Sequence, residues 1–240
     1  MTNAEQFLGH YIAIERYLRR AYGSQGQYET FLQLVTKAER QQSVIRYYAA
    51  DLREYGELRN AIIHNRTPED NAIIAEPHSF VVERMAHIRN MIEHPIKIAD
   101  VMTTPVYIAK LEDYVYETAQ KMFQNVYTHV PVYDGDTFVG VLSESAILRW
   151  IAQRVVKNRT LTTEHTISEL TTWLDQSGNK FNDYEFVPHT MVVLDVKKRF
   201  EQALQEGRRL GAIFMTKSGK SSEPIAGMVT AWDLPRLTLQ

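Results

Sequence analysis

Cysteine is missing from all 240 residues. That excludes disulfides, thiolate metal sites and a cysteine nucleophile, and it fits a cytoplasmic location. Long apolar runs are missing too. None approaches the roughly 20 residues that a membrane span needs, so no membrane partner is expected. Met1–His10 shows no basic stretch ahead of an apolar core, so no signal peptide is expected either. Nor is there an excess of one charge. The net charge is −2, with 11 basic and 12 acidic residues over the first 95 positions and 16 and 17 over the rest. That balance leaves RNA a possible partner but not a favoured one. His10, His78, His87 and His94 form no constellation with metal-ligand spacing, and no metal is expected.

What is present changes character at Pro95. Residues 1–94 read as four helices with short connections, which points to a four-helix bundle. Thr2 and Glu5 fit a capping box ahead of the stripe Phe7, Tyr11, Ile14 and Leu18. A second stripe begins at Phe31 and runs towards Tyr48. A third segment covers Glu57 to His64 and stops near Asn65-Arg66-Thr67-Pro68. A fourth runs from about Glu76 to Glu93. Residues 95–240 instead alternate short apolar runs (Val130–Tyr133, Phe138–Leu142, Ala212–Met215, Ile225–Val229) with amphipathic segments such as Asp113–Gln124 and Asp195–Arg208. The chain as a whole therefore reads as α+β.

The second region repeats itself. Val130–Trp150 is echoed by Gly211–Leu237: a buried strand, a polar turn, a second strand carrying Gly140 or Gly227, then a helix. Together with the opening Ala99-Asp100-Val101-Met102-Thr103-Thr104-Pro105, the strand Val130-Pro131-Val132-Tyr133-Asp134 and the ending Gly227, Thr230, Asp233, this pattern resembles a tandem pair of CBS domains (named for cystathionine β-synthase). The resemblance covers roughly 140 residues, with β-α-β-β-α repeats at about 96–155 and 166–238. It implies a regulatory protein rather than a metabolic enzyme, with AMP, ADP, ATP or a cyclic adenine dinucleotide as ligand. In the family the Asp of the last motif holds the ribose hydroxyls and the Thr or Ser three residues earlier contacts phosphate. That assigns Asp233 and Thr230, and the residue types suit those roles, since a carboxylate accepts from two vicinal hydroxyls. In the first repeat Ser143 can stand for the Thr, but Ala146 replaces the Asp, so one competent cleft is expected. By the same resemblance Phe186, Val187 and Pro188 border the adenine. Thr128 and His129, or Arg208 and Arg209, reach the phosphates, for which Arg is apt. Leu161–Tyr184 is longer than the usual link between repeats and has no assigned role.

In the helical half, Glu57-Leu58-Arg59-Asn60-Ala61-Ile62-Ile63-His64 is similar to the Arg-polar-x3-His signature of HEPN domains, four-helix bundles that typically dimerise around the motif. The resemblance covers perhaps 90 residues. It implies a homodimer and offers an alternative function, a metal-independent ribonuclease gated by the CBS pair. Arg59, Asn60 and His64 would be its catalytic residues, with His64 moving a proton and Arg59 stabilising charge on the phosphate. The bland alternative for the same residues is a set of hydrogen bonds that holds a helix end. The bland alternative for Thr230 and Asp233 is a helix cap.

Overall fold

The computed structural model describes residues 1–65, 67, 73–176 and 183–237. They form two compact units, Met1–Ile96 and Lys97–Gln240. No helix among the described residues is long and apolar enough to cross a membrane.

The first unit is helical: α1 (Asn3–Tyr22), α2 (Phe31–Ala38), α3 (Ser43–Tyr47), α4 (Ala49–His64) and α5 (Ser79–Glu93). At the start of α1, Thr2 Oγ1 accepts from the Glu5 amide at 3.1 Å, and Glu5 Oε2 accepts from the Thr2 amide at 2.9 Å. Glu76 satisfies a further amide at that end, accepting from Ala4 at 3.1 Å. Phe7, Tyr11, Ile14 and Leu18 are the buried face of α1. Two expected boundaries differ. The stripe from Phe31 does not reach Tyr48 as one helix, because Glu39-Arg40-Gln41-Gln42 gives it no apolar residue to bury. The next helix begins at Ala49 rather than Glu57, since Ala49 and Leu52 extend its buried face backwards. Of the expected stop at 65–68, Arg66 and Pro68 lie outside the described residues.

The second unit contains two three-stranded sheets of the same plan. In the first, β1 (Ala109–Lys110) runs parallel to β2 (His129–Asp134), which is antiparallel to β3 (Thr137–Ser143). In the second, β4 (Asp183–Pro188) runs parallel to β5 (Leu210–Thr216), which is antiparallel to β6 (Gly227–Thr230). Helices α6 (Val115–Asn125) and α8 (Val193–Gln205) are the crossovers, and α7 (Glu144–Val156) follows β3. The two copies end differently. After β6 the chain forms a six-residue 3-10 helix, Ala231–Arg236, instead of a full α-helix. Pro235 lies inside it, lacks an amide to donate and obstructs a continuing α-helix.

Each copy opens with a short 3-10 helix, Ile98–Asp100 or Ile167–Trp173. The second explains much of the long link. These openings do not pair with their own sheets. The Ile98 amide donates to the Met191 carbonyl at 2.8 Å and the Thr103 amide to Met228 at 2.9 Å. Reciprocally, the Ile167 amide donates to Asp113 at 3.0 Å and the Asp175 amide to Val141 at 2.9 Å. Side chains follow the backbone. Ile167, Leu170 and Leu174 are buried in the first copy's core with Val132, Leu142 and Trp150. At roughly 1.5–3 kcal/mol per buried aliphatic side chain, these three rival the entire stability of a typical domain, about 5–15 kcal/mol. Between the copies lies an aromatic cluster. Phe138 of β3 meets Phe186 edge-on at 5.1 Å and Tyr184 at 5.4 Å, over a buried Phe214.

The shared plan needs a glycine at each crossing point. A Cβ on Gly140 would sit 3.1 Å from the Asp175 carbonyl and 3.1 Å from Leu174 Cβ, and one on Gly227 would overlap the Met102 thioether. Gly140→Ala should therefore push the 174–176 segment off β3. We expect a loss of roughly 1–3 kcal/mol by overpacking, read by urea unfolding. A variant as stable as the parent would contradict this packing.

Candidate functional site

Thr230 and Asp233 sit where β6 turns into the last 3-10 helix, and the turn geometry couples them. Asp233 Oδ2 accepts from the Thr230 amide at 2.8 Å and from its hydroxyl at 3.0 Å. This is a capping box. It fixes the carboxylate at the mouth of a cleft of about 590 Å³, a volume within the usual range for small-molecule sites. The opposite wall comes from the first copy. It comprises the segment Thr103–Tyr107, which the Thr103–Met228 backbone bond draws against β6, and Tyr127, Thr128 and His129 at the start of β2. Tyr107 and Tyr127 stack with ring centroids 6.0 Å apart and planes 22° apart. Glu144, the first residue of α7, and the exposed Trp232 complete the rim.

His129 is half-buried. Its Nδ1 is 2.9 Å from Thr128 Oγ1, and its ring fills the space above Gly211, where a Cβ would overlap it. Burial holds its pKa below the usual histidine value, opposed by the Asp175 charge. The ring is accordingly neutral near pH 7.

The other expected residues lie elsewhere. Phe186 is in the aromatic cluster between the copies and borders a second opening, with Arg199 and Lys220. Val187 is buried in the sheet. Pro188 packs near Gly219. Arg208 follows the left-handed Gly207 at the end of α8, just as Tyr127 follows the left-handed Val126 at the end of α6. The first copy thus places an aromatic ring where the second places a guanidinium, and that guanidinium pairs with Asp183, Glu185 and Glu206. Glu206, then Asp183 and Glu185, hold Arg208 firmly protonated. Arg209 is exposed, and its carbonyl accepts from the Asp183 amide. In the first copy Ser143 caps α7, accepting from the Ala146 amide at 3.1 Å, and Ala146 is fully buried.

In the helical unit, Arg59 and Asn60 share a groove of about 310 Å³ with Tyr11, Glu15 and Tyr28. Arg59 donates to Asn60 Oδ1 at 3.2 Å and lies 5.8 Å above the Tyr11 ring. His64, on the exposed last turn of α4, does not line that groove.

The 103–107 wall, Tyr127, Glu144 and Trp232 were not anticipated from the sequence. A signal for the wall was present. Ile98-Ala-Asp-Val-Met-Thr and Ile167-Ser-Glu-Leu-Thr-Thr are parallel openings, so two exchanged arms could have been inferred.

Residues 98–153 match the CBS domain family. That segment is the first of the two copies, and the second copy shares its strand order. No curated protein matches the chain. Among solved structures, the CBS domain of a CBS domain containing membrane protein from Sphaerobacter thermophilus is similar at 20% identity, over 65% of this chain and 94% of that one, with a TM-score of 0.43. The CBS domain pair of protein MJ0100, solved with 5-methylthioadenosine and S-adenosyl-L-methionine, is similar at 17% identity over 60% and 95%, TM-score 0.40. CBSX2 in complex with AMP is similar at 18% identity over 59% and 94%, TM-score 0.40. At these scores no ligand carries over from those proteins to this chain.

Arg208 faces a buried carboxylate, Asp183, whose side chain is 2% exposed. Arg208→Ala should cost about 1.5–3 kcal/mol, the range for a hydrogen bond to a charged group, because Asp183 loses the guanidinium while the Tyr184 amide still donates to it, and should leave ligand binding at the Asp233 cleft unchanged. Denaturant unfolding measures the first and calorimetry the second. A loss under about 1 kcal/mol would contradict a structural role for the Arg208–Asp183 pair.

Proposed function

We propose that this is a regulatory protein whose second unit senses an adenosine-containing ligand and whose helical unit responds to it. The observation that carries this reading is the cleft itself, in which an acidic side chain held by a cap faces a stacked tyrosine pair across the seam between two CBS-like copies. The tyrosine faces suit a purine, since aromatic rings attract flat π-systems at low entropic cost. Asp233 suits the ribose diol. A carboxylate can accept from two vicinal hydroxyls at once. A ligand seated there touches both copies, so its binding energy can favour one arrangement of the pair over another, as signalling requires. The groove at Arg59 and Asn60 excludes His64 and lends no support to RNA cleavage.

At a hundredfold excess over Kd a bound ligand stabilises by about 2.7 kcal/mol. For a unit of this size that raises the melting temperature by roughly 5–10 °C. We expect such a rise with at least one of adenosine, AMP, ADP, ATP or a cyclic adenine dinucleotide. Asp233→Ala should abolish the rise, whatever it does to the starting temperature through the lost cap. No shift with any adenine compound at millimolar concentration, or a full shift in the variant, would refute the sensing role.

A further inference from the structure

The charges around the cleft narrow the ligand class, on the premise that the cleft takes adenosine derivatives at all. We propose that it selects an adenosine derivative whose 5′ substituent is uncharged or cationic and discriminates against di- and triphosphates. Two carboxylates, Glu144 and Asp233, line it, and no lysine or arginine does so among the residues whose side chains are described. Polyphosphate sites are ordinarily built from Arg forks, Lys or backbone amides.

The neutral groups on the wall point the same way. The hydroxyl proton of Thr230 is committed to Asp233 Oδ2 and one lone pair to the Asp233 amide, so Thr230 can meet a ligand only as an acceptor. An acceptor there repels phosphate oxygens and welcomes a hydroxyl or an ammonium. His129 supplies no charge near neutral pH. Lys121 is exposed on α6 with Nζ 5.3 Å from the Tyr107 ring centroid, and it does not line the cleft. Arg208 and Arg209, at the matching end of α8, are not in this cleft. Arg208 is already bound to three carboxylates. The remaining wall, with Val106, Val126 and Met228 beside the tyrosines, accommodates an uncharged group.

Unlike charges a few ångströms apart at the edge of a protein differ from like charges by about tenfold or more in affinity at low salt, and screening erodes the gap. Isothermal calorimetry on the full chain, at low ionic strength and without divalent metal, tests this with four probes: adenosine, AMP, ATP and an adenosine bearing a 5′-sulfonium. Adenosine and the sulfonium should bind at least about tenfold more tightly than ATP, with AMP between. Added salt and Glu144→Gln should both shrink the ratio. Glu144 is exposed, so the variant retains the fold. ATP binding as tightly as adenosine, or a ratio untouched by salt and by Glu144→Gln, overturns the charge selection and leaves the adenosine site standing. Binding by none of the four overturns the site itself.

Discussion

The second unit depends on one exchange: the strand-like opening of each copy forms its backbone bonds with the other copy. Thr103 joins Met228 and Asp175 joins Val141, while the Ile98 and Ile167 amides bond to Met191 and Asp113, just ahead of the crossover helices α8 and α6. Backbone groups in such a seam must be paired or hydrated, and here each copy completes the other. The exchange also moves side chains. With Ile167, Leu170 and Leu174 in the first core, neither copy can keep a full core alone. The glycines at 140 and 227 are the steric condition for both crossings.

The same exchange creates the cleft and breaks its symmetry. Because the 103–107 arm lies along β6, residues from the first copy face Thr230 and Asp233 of the second. The plan repeats on the other side, but with different chemistry. Arg208, Asp183 and Glu185 form an internal ion cluster at the end of α8 and the start of β4, and Ala146 stands in the place of Asp233. A guanidinium already holding several carboxylates is a poor phosphate receptor, since a ligand must displace partners that compensate its charge. One cleft is therefore lined by stacked rings and acceptors, and its counterpart region is occupied by the protein's own charges.

Local features were legible in the sequence. The Thr2–Glu5 box, the α1 stripe and the alternation after Pro95 depend on residues within a turn or a strand of one another, and the paired glycines show as a repeat although their steric reason is distant. The coupling of Thr230 to Asp233 is local too, and the same two residues that form the cap line the cleft. What could not be read was non-local. Nothing near Arg208 in sequence, beyond Glu206, announces Asp183 and Glu185 more than 20 residues earlier. Nothing in the sequence around Phe186 announces its edge-on packing against Phe138. The choice of which arm faces which motif is set by the exchange, and it puts 103–107 rather than 186–188 on the wall of the cleft that Thr230 and Asp233 line.

Native-state hydrogen exchange at the amides of Thr103, Met228, Val141 and Asp175 tests the exchange most directly. If the arms bind the copies into one cooperative unit, all four amides exchange with the same free energy, equal to that of global unfolding of residues 97–240. Fast exchange at Thr103 and Asp175 beside slow exchange in β2 and β5 would show arms that open independently, and would contradict the account.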